Sequence, residues 1–255
     1  MTSYLAGRPG QAGVPKLLCF HPAGSGASAF AGWQRAMGTA VEVLPVRLPG
    51  RETRIREQPF TEAGALVPVL ARELAPVLAD GRYALYGHSM GALIAYLLSV
   101  HQQRTGQPPP LFLGVGAFPA PEKAAASESA AGRSDADLIA LMTRLGATGA
   151  TPAGQRADVG RRMLPLFRAD LELIASRPPL GQPLRCPLEV WAAVDDPVYP
   201  VERLAGWASR TTGGHRLHLV SGGHFFQRAA GFPGRVAAAL EYRLQRQPPL
   251  SMVSP

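Results

Sequence analysis

Lysine is nearly missing from this chain. Only Lys16 and Lys123 are present, so arginine supplies the rest of the 26 basic residues behind a net charge of +8. A positive surface attracts acidic partners. The densest basic stretch, RLPGRETRIRE, nevertheless interleaves Arg47, Arg51, Arg54 and Arg56 with Glu52 and Glu57. With no aromatic stacking platform and no nucleic-acid-binding module, it reads as a solvated charged loop, and no nucleic-acid partner is expected. Cysteine is equally scarce. Cys19 and Cys186 sit in the apolar contexts KLLCFH and LRCPLEV without CxxC spacing. They read as buried free thiols rather than a disulfide, a nucleophile or a metal site. No apolar run approaches the roughly 18 residues needed to cross a bilayer. The N-terminal MTSYLAGRPGQAGVPK lacks the basic-then-apolar pattern of a secretory signal. A cytoplasmic protein with no membrane contact is expected, and no cofactor is implied.

What is present suits one large globular core. The chain has 255 residues, 46% hydrophobic and 17% charged, enough for one domain with an inserted subdomain. Short segments rich in β-formers (KLLCF, VEVLPVRL, YALYG, LFLGVGAF, LEVWAAV, HRLHLV) alternate with helical patterns near 27–38, 61–79, 90–104, 200–210 and 226–246. That alternation predicts an α/β fold, a mostly parallel central sheet with helices on both faces. The strands are almost continuously apolar, as in sheets covered on both sides.

The alternation breaks between about 119 and 183, where no strand pattern occurs. SDADLIALMTRLG opens with a capping pair, Ser134 and Asp137, and ends at Gly146. DVGRRMLPLFRADLELIAS predicts further helix, interrupted near Pro165. A helical insertion between two strands makes a natural lid; periodicity alone fits additional scaffold helices equally. The predicted domain therefore spans 15–247 with a helical lid at about 119–183. Residues 1–14 and 248–255 are expected to be flexible ends.

The chemistry centres on YALYGHSMGALIAY. G-x-S-x-G is weak alone, but here Ser89 lies between a short buried strand and an apolar helix. Strand, sharp turn and helix together expose a serine oxygen above the sheet. A turn that tight strains the backbone at the serine, and side chains at Gly87 and Gly91 would collide. The helix beginning at Met90 aims free N–H groups at the place where an oxyanion would form. A plain helix-capping serine would not require both glycines.

A serine hydroxyl needs a base, and the base an acid, in the chain order Ser, Asp or Glu, His. LEVWAAVDDPVYP runs a strand into Asp195 and Asp196, and HRLHLVSGGHFF runs the next into His224. Asp196 is preferred to Asp195 because the following proline biases it toward extended backbone; one aspartate of the pair should form the turn. FHPAGSG offers Ala23 as a second oxyanion N–H beside that of Met90, although glycines are common in any strand-to-helix loop. His21 is placed to shape that loop. His88 should point away from the Ser89 oxygen and pack. His215 and His218, three apart on a strand, face opposite ways, which disfavours a shared metal.

Several segments in order (FHPAGSGASAF, VRLPGRETR, YALYGHSMGALIAY, LMTRLGATGATP, LPLFRADLELI, CPLEVWAAVDDPV, SGGHFF) resemble the stand-alone type II thioesterases of polyketide and non-ribosomal peptide biosynthesis, members of the α/β-hydrolase superfamily. The resemblance runs from about 15 to 245. It implies removal of aberrant or stalled acyl groups from the phosphopantetheine arm of acyl or peptidyl carrier proteins. It also implies Ser89, Asp196 and His224 as nucleophile, acid and base, Ala23 and Met90 as oxyanion donors, and the insertion as a lid; separately, no metal motif is evident and a monomer is expected. The chain departs from the pattern at PAGSG, at GVGAFPAP and near Arg177, the last two touching pocket and lid. A carboxylesterase or acyltransferase of the same fold, or a silent carrier-binding protein, are the alternatives.

Overall fold

The computed structural model describes residues 2–7, 9–10, 13–79, 81–122, 130–147, 155–179 and 181–246. Six strands form one sheet: β1 Lys16–Phe20, β2 Glu42–Pro45, β3 Tyr83–His88, β4 Leu113–Gly116, β5 Leu188–Ala193 and β6 His215–Val220. Their order is β2-β1-β3-β4-β5-β6, and every pairing is parallel. β1, β3, β4 and β5 are wholly buried, which explains their largely apolar character, while β2 at the opposite edge is half-buried. The edge strand β6 is half exposed, with Leu219 at 56% exposure.

Helices follow the strands: α1 Trp33–Met37, α2 Ala63–Leu78, α3 Met90–Arg104, α4 Asp135–Leu145, α5 Arg156–Ala175, α6 Val201–Leu204 and α7 Phe232–Leu244. Alternate residues of each strand feed two apolar cores. Leu18, Phe20, Leu85 and Val115 join the core under α2 and α3. Leu17, Cys19, Ala84 and Tyr86 join the one that includes Trp33 of α1 and Phe232 of α7. Both cysteines are buried and free. Among the described residues no helix is long and apolar enough to cross a membrane.

Between β4 and β5 lie α4 and α5. Ser134 and Asp137 close the capping box on α4, and Gly146 ends the helix with a φ of 79°. Contrary to the expected interruption, α5 runs straight through Pro165. A mid-helix proline costs about 3 kcal/mol. Burial of Leu164, Phe167, Leu171 and Ile174 along the same helix offsets that cost.

Two further expectations are corrected. The N-terminal stretch is not loose over residues 2–7: Tyr4 and Leu5 are buried, and Leu5 bridges Val46 antiparallel. The Ala6 N–H donates to Pro45 O at 3.0 Å and the Arg47 N–H to Tyr4 O at 2.7 Å. Nor is the arginine loop solvated throughout: Arg51 and Arg54 are buried, whereas Glu52, Arg56 and Glu57 are exposed. Arg54 pairs with Glu57 and lies 3.9 Å from the Tyr4 ring centroid. The expected flexible C-terminus, 248–255, lies outside the described residues.

At the other end of the sheet, Glu189 of β5 is fully buried. Its carboxylate accepts from His218 Nε2 at 2.7 Å and from Arg243 Nη2 at 2.6 Å, tying β6 and α7 to β5. Burial alone would raise the Glu189 pKa, but these two partners outweigh it and hold the group below the usual carboxylate range. A depressed folded pKa stabilises the fold above the unfolded value of roughly 4.3 and stops doing so as pH falls through the folded value. Chemical denaturation across pH 3–7 should therefore show Glu189→Gln less stable than wild type at neutral pH, with the gap narrowing in acid. The turn after β3 is equally exacting. A Cβ at Gly91 would overlap the Phe20 carbonyl, and one at Gly87 the Gly91 carbonyl. Both obstacles are backbone, so Gly91→Ala should cost about 3 kcal/mol or more in the same measurement.

Candidate active site

Ser89 occupies the single residue between β3 and α3, with φ 53° and ψ −123°. A non-glycine residue rarely adopts positive φ, and the strain persists only where surroundings enforce it. Here the Ser89 N–H is held by Gly116 O at 2.7 Å, and Gly87 and Gly91 allow β1, β3 and α3 to touch backbone to backbone. The Ser89 side chain makes no capping bond to α3, so the helix-cap reading fails.

His224 and Asp196 arrive from the loops after β6 and β5. His224 Nε2 lies 3.1 Å from Ser89 Oγ, and His224 Nδ1 lies 2.8 Å from Asp196 Oδ2. A carboxylate only accepts, so Nδ1 carries the proton and Nε2 is left to accept from the serine hydroxyl. All three side chains are buried. Asp196 also performs the turn-forming role expected of one aspartate: its Oδ1 accepts the Val198 and Tyr199 N–H groups at 2.9 and 3.1 Å. Burial would raise its pKa, but His224 and these two amides hold it below the usual carboxylate range. Asp195 is exposed and uses its backbone, donating to Gly222 O at 3.2 Å.

His88 packs as expected but also makes two hydrogen bonds. Burial, reinforced by His224, keeps its pKa well below the usual histidine range, so the ring is neutral. Its Nε2 donates to the backbone carbonyl of His224 at 2.7 Å, and Nδ1 accepts from Tyr86 Oη at 3.0 Å. A Cβ at Gly116 would fall 2.8 Å from His88 Nδ1, so the glycines of GVGAF clear space for this chain of bonds. His21 is buried and its pKa lowered to about 3 by burial and the nearby Arg51 charge. Its Nδ1 donates to Pro22 O at 3.0 Å, inside the loop it was expected to shape. His218 pairs with Glu189, far along β5 from this loop. Among the described residues no group of three His, Cys, Asp or Glu could hold a metal ion.

Ser89, His224 and Ala23 line one cavity of about 230 Å³. Its walls are Leu141 and Leu145 of α4, Phe167, Leu171 and Ile174 of α5, and Val198. Arg133, Arg144 and Arg203 also line it, and no lining residue is acidic. A larger cleft of about 590 Å³ beside Trp33 and Gln227 contains none of the three polar groups. Among the described residues neither the Ala23 nor the Met90 N–H has a hydrogen-bond acceptor. Two residues beside the site escaped the reading of the sequence. Arg51 and Asp170 form a buried ion pair under the Ala23 loop, and their only sequence signal was membership of two motifs, LPGRE and LPLFRAD, with no stated role. The arrangement can activate an oxygen nucleophile and enclose a small acyl group.

Known proteins share this architecture. A thioesterase-domain family model matches residues 15–243. The chain is 32% identical over 220 residues to a probable cadicidin biosynthesis thioesterase of Streptomyces griseus, covering 86% of this chain and 60% of that protein's length. It is 30% identical over 212 residues to the gramicidin S biosynthesis protein GrsT of Aneurinibacillus migulanus, covering 83% and 82%. Among solved structures, the RedJ thioesterase of the prodiginine pathway of Streptomyces coelicolor superposes with a TM-score of 0.80 at 34% identity, over 92% of this chain and 91% of that one. BorB, a type II thioesterase from the borrelidin cluster, gives 0.77 at 29% identity, over 91% and 95%. On an α/β-hydrolase fold, with a family model spanning nearly all of its described length, the chain belongs to the thioesterase family and is a thioester hydrolase.

Proposed function

We propose that this thioesterase removes short, aberrant or stalled acyl groups from the phosphopantetheine arm of carrier proteins in a polyketide or non-ribosomal peptide assembly line, working in the cytoplasm. The observation that carries the reading is the hydrogen-bonded line Ser89–His224–Asp196 at the floor of a small chamber. The biosynthetic thioesterases it resembles support the setting. The arginines on the chamber wall, with no acid among them, suit an approaching anionic arm.

In this mechanism His224 takes the Ser89 proton as Oγ attacks the thioester carbonyl. The Ala23 and Met90 amides hold the tetrahedral oxyanion, each donor lowering the barrier by about 3 kcal/mol. The arm thiol then leaves with a proton returned from His224. Water, deprotonated by His224, attacks the acyl-serine ester, and His224 returns that proton to Ser89 Oγ as the acid is released. Asp196 keeps His224 in the Nδ1–H tautomer and stabilises the imidazolium. The insertion α4–α5 covers the acyl end of the chamber.

Mass spectrometry of acyl-loaded carrier protein is the direct test. Wild type should strip the acyl group and pass through a Ser89 ester, while Ser89→Ala should lose at least about 10³-fold in rate. Full deacylation by Ser89→Ala would end the assignment; wild type that binds carrier without turnover would indicate a scaffold. A matched oxygen ester cleaved faster than the thioester would instead indicate a carboxylesterase. A cavity of about 230 Å³ falls below the ~300–1,000 Å³ typical of drug-sized ligands. Acetyl, propionyl and butyryl carriers should accordingly be cleared faster than palmitoyl carrier, as read by kcat/KM.

A further inference from the structure

The helical insertion and the Ala23 loop are joined by a single buried device. Arg51 is 3% exposed and Asp170 of α5 is fully buried. Arg51 Nη1 and Nη2 donate to Asp170 Oδ2 and Oδ1 at 3.0 and 2.9 Å. The other Arg51 bonds run to backbone, Nε to Pro49 O at 3.1 Å and Nη1 to Ser25 O at 3.0 Å. Asp170 Oδ2 also accepts the Gly24 N–H at 2.8 Å. Gly24 has φ +69°, and a Cβ there would sit 3.2 Å from the Phe167 ring, so α5 lies directly on this loop.

The geometry bears on one atom group in particular. Pro22 O accepts from the Ser25 N–H at 3.3 Å, Ser25 Oγ at 2.9 Å and His21 Nδ1 at 3.0 Å. In a planar trans peptide the N–H points opposite to the C=O, so holding Pro22 O aims the Ala23 N–H away from it. The next peptide plane, Ala23 C=O with Gly24 N–H, is set by Asp170. Ala23 is thus anchored on one side from within its loop and on the other by the insertion. Fixing a helix to a loop does not in itself call for charge: apolar residues of similar volume often replace a buried ion pair without loss of stability. What apolar contacts do not supply is the directional, bidentate geometry of a guanidinium on a carboxylate.

We propose that Arg51 and Asp170 are a positioning pair that sets the Ala23 amide for the oxyanion, and that α5 is consequently a fixed wall of the chamber rather than a moving lid element. The pair acts through Ala23 and touches no reacting atom. The proposal rests on the acyl-enzyme reading above. It explains why the segments containing Arg51 and Asp170, 119 residues apart, belong to one functional unit: α5 cannot swing away without pulling on Gly24.

Four measurements test it. Fluorophosphonate labelling of wild-type Ser89 comes first; absence of labelling would count against the acyl-enzyme reading itself. Given labelling, Asp170→Asn should lose about 10²–10³-fold in kcat, the effect of one oxyanion donor, with KM within about threefold. The double variant Arg51→Met/Asp170→Leu should regain the wild-type melting temperature but not kcat. A kcat that recovers together with the melting temperature would reduce the pair to a structural role and overturn the proposal. So would a loss in Asp170→Asn that matches its unfolded fraction. If neither variant folds, hydrogen exchange in the wild type decides: a Gly24 amide protected like the sheet supports the pair, and one exchanging like an open loop refutes it.

Discussion

Backbone pressed against backbone at the crossing of β1, β3 and α3 is the constraint on which the rest of this molecule depends. The Phe20 and His21 carbonyls lie where a Gly91 side chain would be, and the Gly91 carbonyl lies where a Gly87 side chain would be. With the chain packed that closely, the one residue linking strand to helix has no relaxed conformation available, and Ser89 takes a positive φ. The strain is local and the compensation is distributed: a fully buried strand on one side, a fully buried helix face on the other. The same crossing decides where the serine oxygen stands and leaves the first amide of α3 without a partner beside it.

Around that point the polar groups are economical. Asp196 serves two masters with two oxygens, one orienting the His224 ring and the other closing the turn that holds Asp196 itself. The acid is therefore rigid because it builds its own loop. The Ala23 loop follows a similar logic, with Pro22 O as the internal anchor and Asp170 as the external one. In both loops the catalytic geometry proposed here and the local fold are one set of hydrogen bonds, and changing either disturbs the other.

Much of this was legible in the sequence, and for identifiable reasons. The central strands, covered on both faces, leave apolar runs, and all six observed strands fall on the β-forming segments read from the sequence. The serine turn carries its glycines at fixed offsets because the collisions are local. Asp196 was favoured over Asp195 by the proline that follows it. Legibility failed where the cause was distant. Nothing near Pro165 announces that Phe167, Leu171 and Ile174 would bury enough surface to carry a helix past it. Arg51 and Arg54 look like solvated charges until Asp170 and the Tyr4 ring are brought beside them by the fold. Tyr4 and Leu5 find their place only because β2 is an edge strand with a free side for Val46 to offer.

The bond from His88 to the His224 carbonyl has a mechanical meaning. His88 is the last residue of the strand that ends at Ser89, so the loop bearing the imidazole is moored to the same rod as the hydroxyl. When the sheet breathes or twists, both partners ride together, and their separation is insulated from movements of the neighbouring loops. Tyr86, two residues back along that rod, keeps the mooring ring from turning.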